Sequence, residues 1–170
     1  MEPLTAGPFT LRLPTDADIV WLCDSGQDPE VVRWTRLPAP YRPRHAIEFV
    51  EAAGQRAALG CDIALLIELI DSGELLGVCG LMNIADHRAE VGYWLGPDGR
   101  GRGAATAAVQ RLTVLAQDLG VSVLQADVMV GNIRSELVLA RCGFACVDRN
   151  VTCEQRGANR PATRWERRVP

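Results

Sequence analysis

Lysine is absent from this chain. All 18 basic side chains are arginine, and against 21 carboxylates they leave a net charge of -3 and an isoelectric point near 5.4. A protein that grips nucleic acid along a broad surface shows a basic field, so this balance argues against that class. Histidine is nearly absent too: His45 and His87 stand far from the cysteines at 23, 61, 79, 142, 146 and 153. No C-x-x-C pair occurs, so no metal site is expected, and the cysteines read as small hydrophobes in reduced protein. No apolar run approaches the roughly 18 to 20 residues needed to cross a bilayer. The N-terminus, interrupted by Glu2 and Pro3, lacks a basic region followed by an apolar core, and a cytoplasmic protein without membrane contact is expected.

What is present is the material of one globular domain. The chain has 170 residues, 48% of them hydrophobic, and no repeat, linker or low-complexity tail divides residues 1–170. Phe9 to Leu13 alternates as a strand, and Thr15 or Asp16 can cap a short helix through Cys23. Asp28-Pro29-Glu30 offers a cap, a first-turn proline and an early acid ahead of Val31 and Trp34. After three prolines, the spacing from Pro43 to Leu59 predicts an amphipathic helix. These two segments form a helical flap.

Asp71-Ser72-Gly73 separates two apolar runs, Ile63 to Ile70 and Leu75 to Ile84, and predicts an antiparallel hairpin. Glu90 to Leu95 reads as another strand. Ala104 to Leu119 has helical spacing, Val121 to Val130 is strand-like, and Arg134 to Arg141 is a short helix closed by Gly143. Phe144 to Thr152 and Ala162 to Val169 complete the sheet as a hairpin around Gly157-Ala158-Asn159. The expected class is α/β, with a mixed and mostly antiparallel sheet flanked by helices.

The strongest chemical signal is Arg100-Gly101-Arg102-Gly103-Ala104-Ala105-Thr106, between a predicted strand and a predicted helix. Free N–H groups at a helix start, with the positive end of its dipole, suit an anion, and glycine lets a diphosphate reach the backbone. The segment spells neither G-x-x-x-x-G-K-[ST] nor G-x-G-x-x-G. It does resemble the pyrophosphate loop of the GNAT superfamily of acyl-CoA-dependent N-acetyltransferases, [RQ]-x-x-G-x-[GA], through Arg100, Gly103 and Ala105. Glu90-Val91-Gly92-Tyr93-Trp94 before the loop, Gly131-Asn132-Ile133-Arg134-Ser135 after it and Gly143-Phe144 beyond resemble the RimJ/RimL-type branch in the same order.

That resemblance implies acetyl-CoA as donor, in a cleft between two diverging central strands. Pantetheine would pair with backbone around Tyr93, Trp94 and Leu95, exposed by a bulge on that strand. Arg100, Gly101, Arg102, Gly103, Ala104 and Ala105 would cradle the pyrophosphate, and Asn132 would bond the pantetheine arm. Asn132 equally suits a turn or helix cap.

Transfer to an amine needs a neutral nitrogen and a stabilised thiolate. Glu90 is the best available general base, acting through water, although a strand carboxylate in an ion pair is the competing reading. The family often places a tyrosine four residues before Gly-Phe, where this chain has Leu139. Its RimL-like branch points instead to Ser135 as hydrogen-bond donor to the sulfur; Ser135 could also cap a helix. Trp34, Tyr41 and His87 are candidates for the acceptor pocket, against packing roles for the aromatics and a surface loop for the histidine. Direct attack in a ternary complex is expected, with Cys142 the one thiol to check.

The implied function is acetyl transfer to a primary amine, foremost a protein or peptide N-terminal α-amine. An α-amine is easier to deprotonate than lysine by about 3 to 4 kcal/mol. Acetylation of a small-molecule amine and a non-catalytic acyl-CoA sensor are the alternatives. The resemblance also makes a homodimer possible.

Overall fold

A computed structural model describes all 170 residues. Eight strands form one sheet in the order β1-β2-β3-β4-β5-β6-β8-β7. They are β1 (Leu4–Ala6), β2 (Phe9–Arg12), β3 (Ile63–Leu69), β4 (Leu75–Ala85), β5 (Arg88–Leu95), β6 (Val123–Met129), β7 (Ala145–Gln155) and β8 (Ala158–Arg168). Every neighbouring pair is antiparallel except β5 and β6. The helices are α1 (Ile19–Gly26), α2 (Pro29–Trp34), α3 (Pro43–Leu59), α4 (Ala104–Asp118) and α5 (Ile133–Arg141). None is long and apolar enough to cross a membrane.

The apolar runs of β3 and β4 are continuous rather than alternating because both faces of the sheet are covered. Leu65 and Ile67 join the larger core with Cys79 and Leu81, whereas Leu66 and Val78 turn to a second core with Leu22 and Ala46. On the first face lies α4, whose Ala104, Ala108 and Ala116 are fully buried and let the helix settle close to the strands. It is the crossover that a parallel β5–β6 pair requires. On the second face lie α1 and α3.

Most predicted elements appear within a residue or two of their expected ends. Three details differ. The short β1 carries too little pattern to be read from sequence. The β7–β8 turn consists of Arg156 and Gly157, with Gln155 opposite Ala158, instead of lying around residues 157–159. Both turn residues have positive φ, 51° and 82°, which gives the backbone twist that tight hairpins prefer. Finally, Thr15 and Asp16 open a 3-10 turn, Asp16–Asp18, before α1 begins.

That turn is pinned to the sheet by charge. Arg12 of β2 holds Asp18 by two bonds, each 2.8 Å, and its Nε reaches Glu68 of β3 at 2.5 Å. Asp18 also accepts from the amide and hydroxyl of Thr15, at 2.7 and 2.9 Å. Burial pushes the Asp18 carboxyl up, but the hydrogen bonds from Arg12 and Thr15 outweigh it and hold the group below its ordinary value. A depressed carboxyl stabilises the fold above its unfolded pKa of about 3.9 and loses that effect as pH falls below it. Asp18→Ala should therefore lower unfolding free energy by about 2–4 kcal/mol at pH 7. Urea denaturation should show the gap to the parent narrowing below about pH 4.

Candidate active site

β5 and β6 pair only over Arg88–Glu90 against Val123–Gln125. Past Glu90, β5 stays with β4 as far as Leu95, while β6 continues with β8 to Met129. Two strands that keep their outer partners and lose each other open a V. Their inner backbone edges, along residues 91–95 and 126–129, lack a ladder partner there. The opening is a cleft of about 850 Å³ lined by residues from both faces of the sheet.

The bulge expected on β5 lies on β4. From Gly77 to Met82 the β4–β5 register is regular, and it shifts only between Met82 and Ala85. Divergence of β6, rather than a bulge, is what frees the β5 edge. The irregularity does serve the cleft: Asn83, at φ 53°, turns Nδ2 to the Glu90 carboxylate at 3.3 Å.

At the wide end, β5 passes through a 3-10 turn, Pro97–Gly99, into the glycine-rich loop. Gly99 must be glycine, since a Cβ there would sit 2.3 Å from the carbonyl oxygen of Leu76. Gly103 caps α4 at φ 79°, in the left-handed region. The amides of Gly101 through Thr106 find no acceptor within the protein. A row of unpartnered N–H groups at the positive end of a 15-residue helix has the geometry and polarity that suit an anion. Ala104 and Ala105 are small and buried, so little side chain stands over these amides.

The two loop arginines are engaged elsewhere. Arg100 turns inward to Asp28 and to the carbonyl oxygen of Leu95, and Arg102 bonds Glu74 at 2.9 Å. The partner of Arg100 also caps α2, accepting from the amides of Glu30 and Val31 at 3.0 and 3.1 Å. Burial raises the Asp28 carboxyl, but Arg100 and those two amides outweigh it and hold it below its ordinary value.

On the α4–α5 face, the phenol of Tyr93 lies 2.8 Å from Ser135 Oγ and 3.1 Å from the Ser135 carbonyl oxygen, so its one proton can be directed at either. Burial pushes this phenol well above its usual value, and the bond to Ser135 offsets only part of that rise. Asn132 caps α5, its Oδ1 accepting from the Ser135 amide at 3.3 Å, and both residues line the cleft. Leu139 is fully buried in the cleft wall. Cys142 does not line the cleft; burial raises its thiol, which packs against the Thr106 carbonyl.

On the opposite face, Glu90 follows the alternation expected of it and shares its side with Trp94, which stacks on Trp21 at 5.6 Å. Its carboxylate pairs with Arg36, from the loop after α2. Trp34 lines the same region, with Nε1 bonded to Glu30 at 3.1 Å and Arg33 lying 4.5 Å over its ring. Tyr41 and His87 lie outside the cleft. Tyr41 is 6% exposed and wedged against Gly26 in the second core, because that face needs a large apolar anchor between α1 and α3. His87 sits in the exposed β4–β5 turn, bonded to the Gly120 carbonyl at 2.9 Å.

Sequence reasoning missed Arg36, Asn83, Asp28 and the side chain of Tyr93. Arg36 follows a short helix with no motif around it, and Asn83 owes its position to a bulge. Asp28 was legible as a cap but not as the partner of an arginine 72 positions away.

The sequence model of the family described as "Acetyltransferase (GNAT) domain" matches residues 9–145. The uncharacterized N-acetyltransferase p20 of Bacillus licheniformis is 31% identical over 115 residues, 66% of this chain and 64% of that protein. The match thus spans less than two thirds of that relative's length. Among solved structures, the RimL ribosomal L7/L12 alpha-N-protein acetyltransferase in complex with coenzyme A superposes with a TM-score of 0.84 at 18% identity, covering 99% of this chain and 98% of that one. The spermidine N-acetyltransferase from Vibrio cholerae, in complex with CoA and spermine, gives 0.79 at 18%, covering 95% and 96%. At these identities the likeness is one of fold.

The double duty of Asp28 gives a test that needs no relative. Asp28→Ala removes the α2 cap and leaves Arg100 unpaired, and should cost about 1–3 kcal/mol of stability. Hydrogen exchange should speed up first at the α2 amides.

Proposed function

This chain belongs to the acetyltransferase (GNAT) family, and from that premise we propose that it acetylates the N-terminal α-amine of a protein or peptide. The donor is acetyl-CoA. The observation that carries the acceptor assignment is the Arg36–Glu90 pair at the narrow end of the cleft, with Trp34 beside it. A peptide terminus offers a nitrogen for a carboxylate and, two bonds away, a carbonyl for a guanidinium. A polyamine offers cations alone, for which an arginine in the site is repulsive. Of the other cleft carboxylates, Glu30, Asp62 and Asp127 are paired with Arg33, Arg56 and Arg164, and Glu154 accepts from the Gly157 amide.

In this reading the amides of residues 101–106 bind the pyrophosphate of the donor. The free β5 edge at Tyr93, Trp94 and Leu95 takes the pantetheine arm as an added strand, with Asn132 across from it. The donor approaches from the α4–α5 face and the acceptor from the flap. The amine lone pair attacks the thioester carbon, the C–S bond breaks, and the sulfur leaves as thiolate. Glu90 receives the proton that the nitrogen sheds, through water, and Asn83 and Arg36 hold its carboxylate in place.

Ser135 donates a hydrogen bond to the departing sulfur. In this reading the Tyr93 phenol donates to Ser135 Oγ, which leaves the serine proton for the sulfur, and burial makes that phenol a weaker acid than an ordinary tyrosine. Such a group keeps its proton and fixes its neighbour instead of ionising. Attack is direct in this reading: Cys142 lies outside the cleft, and Cys153, which lines it, has a thiol that burial raises.

Glu90→Gln should lower kcat by about 100-fold while leaving acetyl-CoA affinity within twofold. Ser135→Ala should lower kcat by roughly tenfold or more, and Tyr93→Phe by less. For the parent, kcat/KM should rise with pH through the acceptor amine's pKa of about 7.7 to 8.0. Mass spectrometry of isotope-labelled acetyl transferred in a lysate reads the acceptor directly. Label on protein termini supports the proposal; label on a small amine, or acetyl-CoA bound without transfer, overturns it.

A further inference from the structure

The tip of the β7–β8 hairpin, outside the cleft, is bonded to the flap through main-chain carbonyls. Gln155 is only 6% exposed, and its Nε2 donates to the carbonyl oxygens of Thr35 at 2.7 Å and Arg33 at 3.0 Å. Arg156 donates through Nη2 to Val32 at 2.8 Å and through Nη1 to Leu37 at 3.0 Å and Thr35 at 3.2 Å. Together they bond the carbonyls of Val32, Arg33, Thr35 and Leu37. Neither side chain lines the cleft.

A helix of six residues does not hold its shape alone. Its first turn is secured by Asp28 and Arg100; at its end Thr35 caps the Val31 carbonyl through its amide and hydroxyl, while the carbonyls of Val32 and Arg33 take their partners from a hairpin about 120 positions away. A cation over the final carbonyls also suits the negative end of the helix. The turn itself is shaped for this. Arg156 adopts φ 51°, an unfavourable conformation for a residue with a Cβ, at the point that carries its guanidinium to α2. Between the secured carbonyls of Thr35 and Leu37 stands Arg36, the partner of Glu90.

We infer that Gln155 and Arg156 are positioning residues that set the acceptor end of the cleft, by clamping the C-terminus of α2 so that Arg36 and Trp34 face Glu90. The inference rests on the reading that the flap side receives the acceptor. The donor loop meets the first turn of α2 through Arg100 and Asp28, but Gly99 and α4 anchor it as well, so a clamp on the last turn acts mainly on the acceptor.

The test compares Arg156→Ala, Arg156→Lys, Gln155→Ala and, as a charge control on the same hairpin, Arg160→Ala. For Arg156→Ala, KM for the acceptor should rise roughly tenfold with acetyl-CoA affinity within twofold. Arg156→Lys should recover part of the loss, and Arg160→Ala should match the parent. Hydrogen exchange should accelerate in residues 29–37 and stay unchanged in residues 101–106. If Arg156→Ala does not fold, Gln155→Ala and Arg156→Lys carry the same comparison. Unchanged exchange in 29–37, unchanged acceptor KM, or an equal loss for both substrates would overturn the clamp. If the parent prefers a small amine to any peptide, the acceptor assignment falls while the same split, read with that amine, still judges the clamp. A parent that transfers acetyl to no amine removes both.

Discussion

The site depends on one geometric constraint, the parting of β6 from β5 after Glu90. A sheet is ordinarily closed by its own hydrogen bonds, and a gap in its middle exposes polar backbone that must find other partners. Here β4 and β8 keep hold of the two diverging strands, so the gap is rigidly framed instead of collapsing. The strand edge then offers a ready partner for an extended ligand, and the crossover helix that a parallel pair demands brings its amino end to the mouth of the gap. Backbone edge and helix terminus are therefore products of the same topological step.

The two sides of the gap are built differently. The wall facing α4 and α5 rests on the larger core, with 24 buried residues, and its polar groups are few and mutually bonded. The wall facing the flap is thinner. It relies on a short helix held at its start by Asp28 and Arg100 and at its end by Gln155 and Arg156. In the proposed reading, a firm donor wall and a separately tethered acceptor wall let the acceptor side change without disturbing the donor side.

Much of this was legible in the sequence, for reasons that differ by residue. The loop at 100–105 announced itself because glycine beside a helix start is a local pattern with a local cause. The Asp28-Pro29 cap and the Pro43 helix start were readable in the same way. Glu90 fell on the expected face because strand alternation is a two-residue rule. What escaped were features set by pairings across the chain: the bulge at Asn83, the Arg36–Glu90 bond, and the hairpin tip on α2. Tyr41 and His87, weighed between the acceptor pocket and structural roles, both fall on the structural side. One fills the second core and the other braces a turn against Gly120.

The cleft is lined from both faces of the sheet, and in the proposed reading carrier and guest each have a doorway of their own. Cargo of any bulk can rest against one doorway without obstructing traffic through the other. On that reading, exchange of spent carrier for fresh need not wait for a large guest to leave its berth.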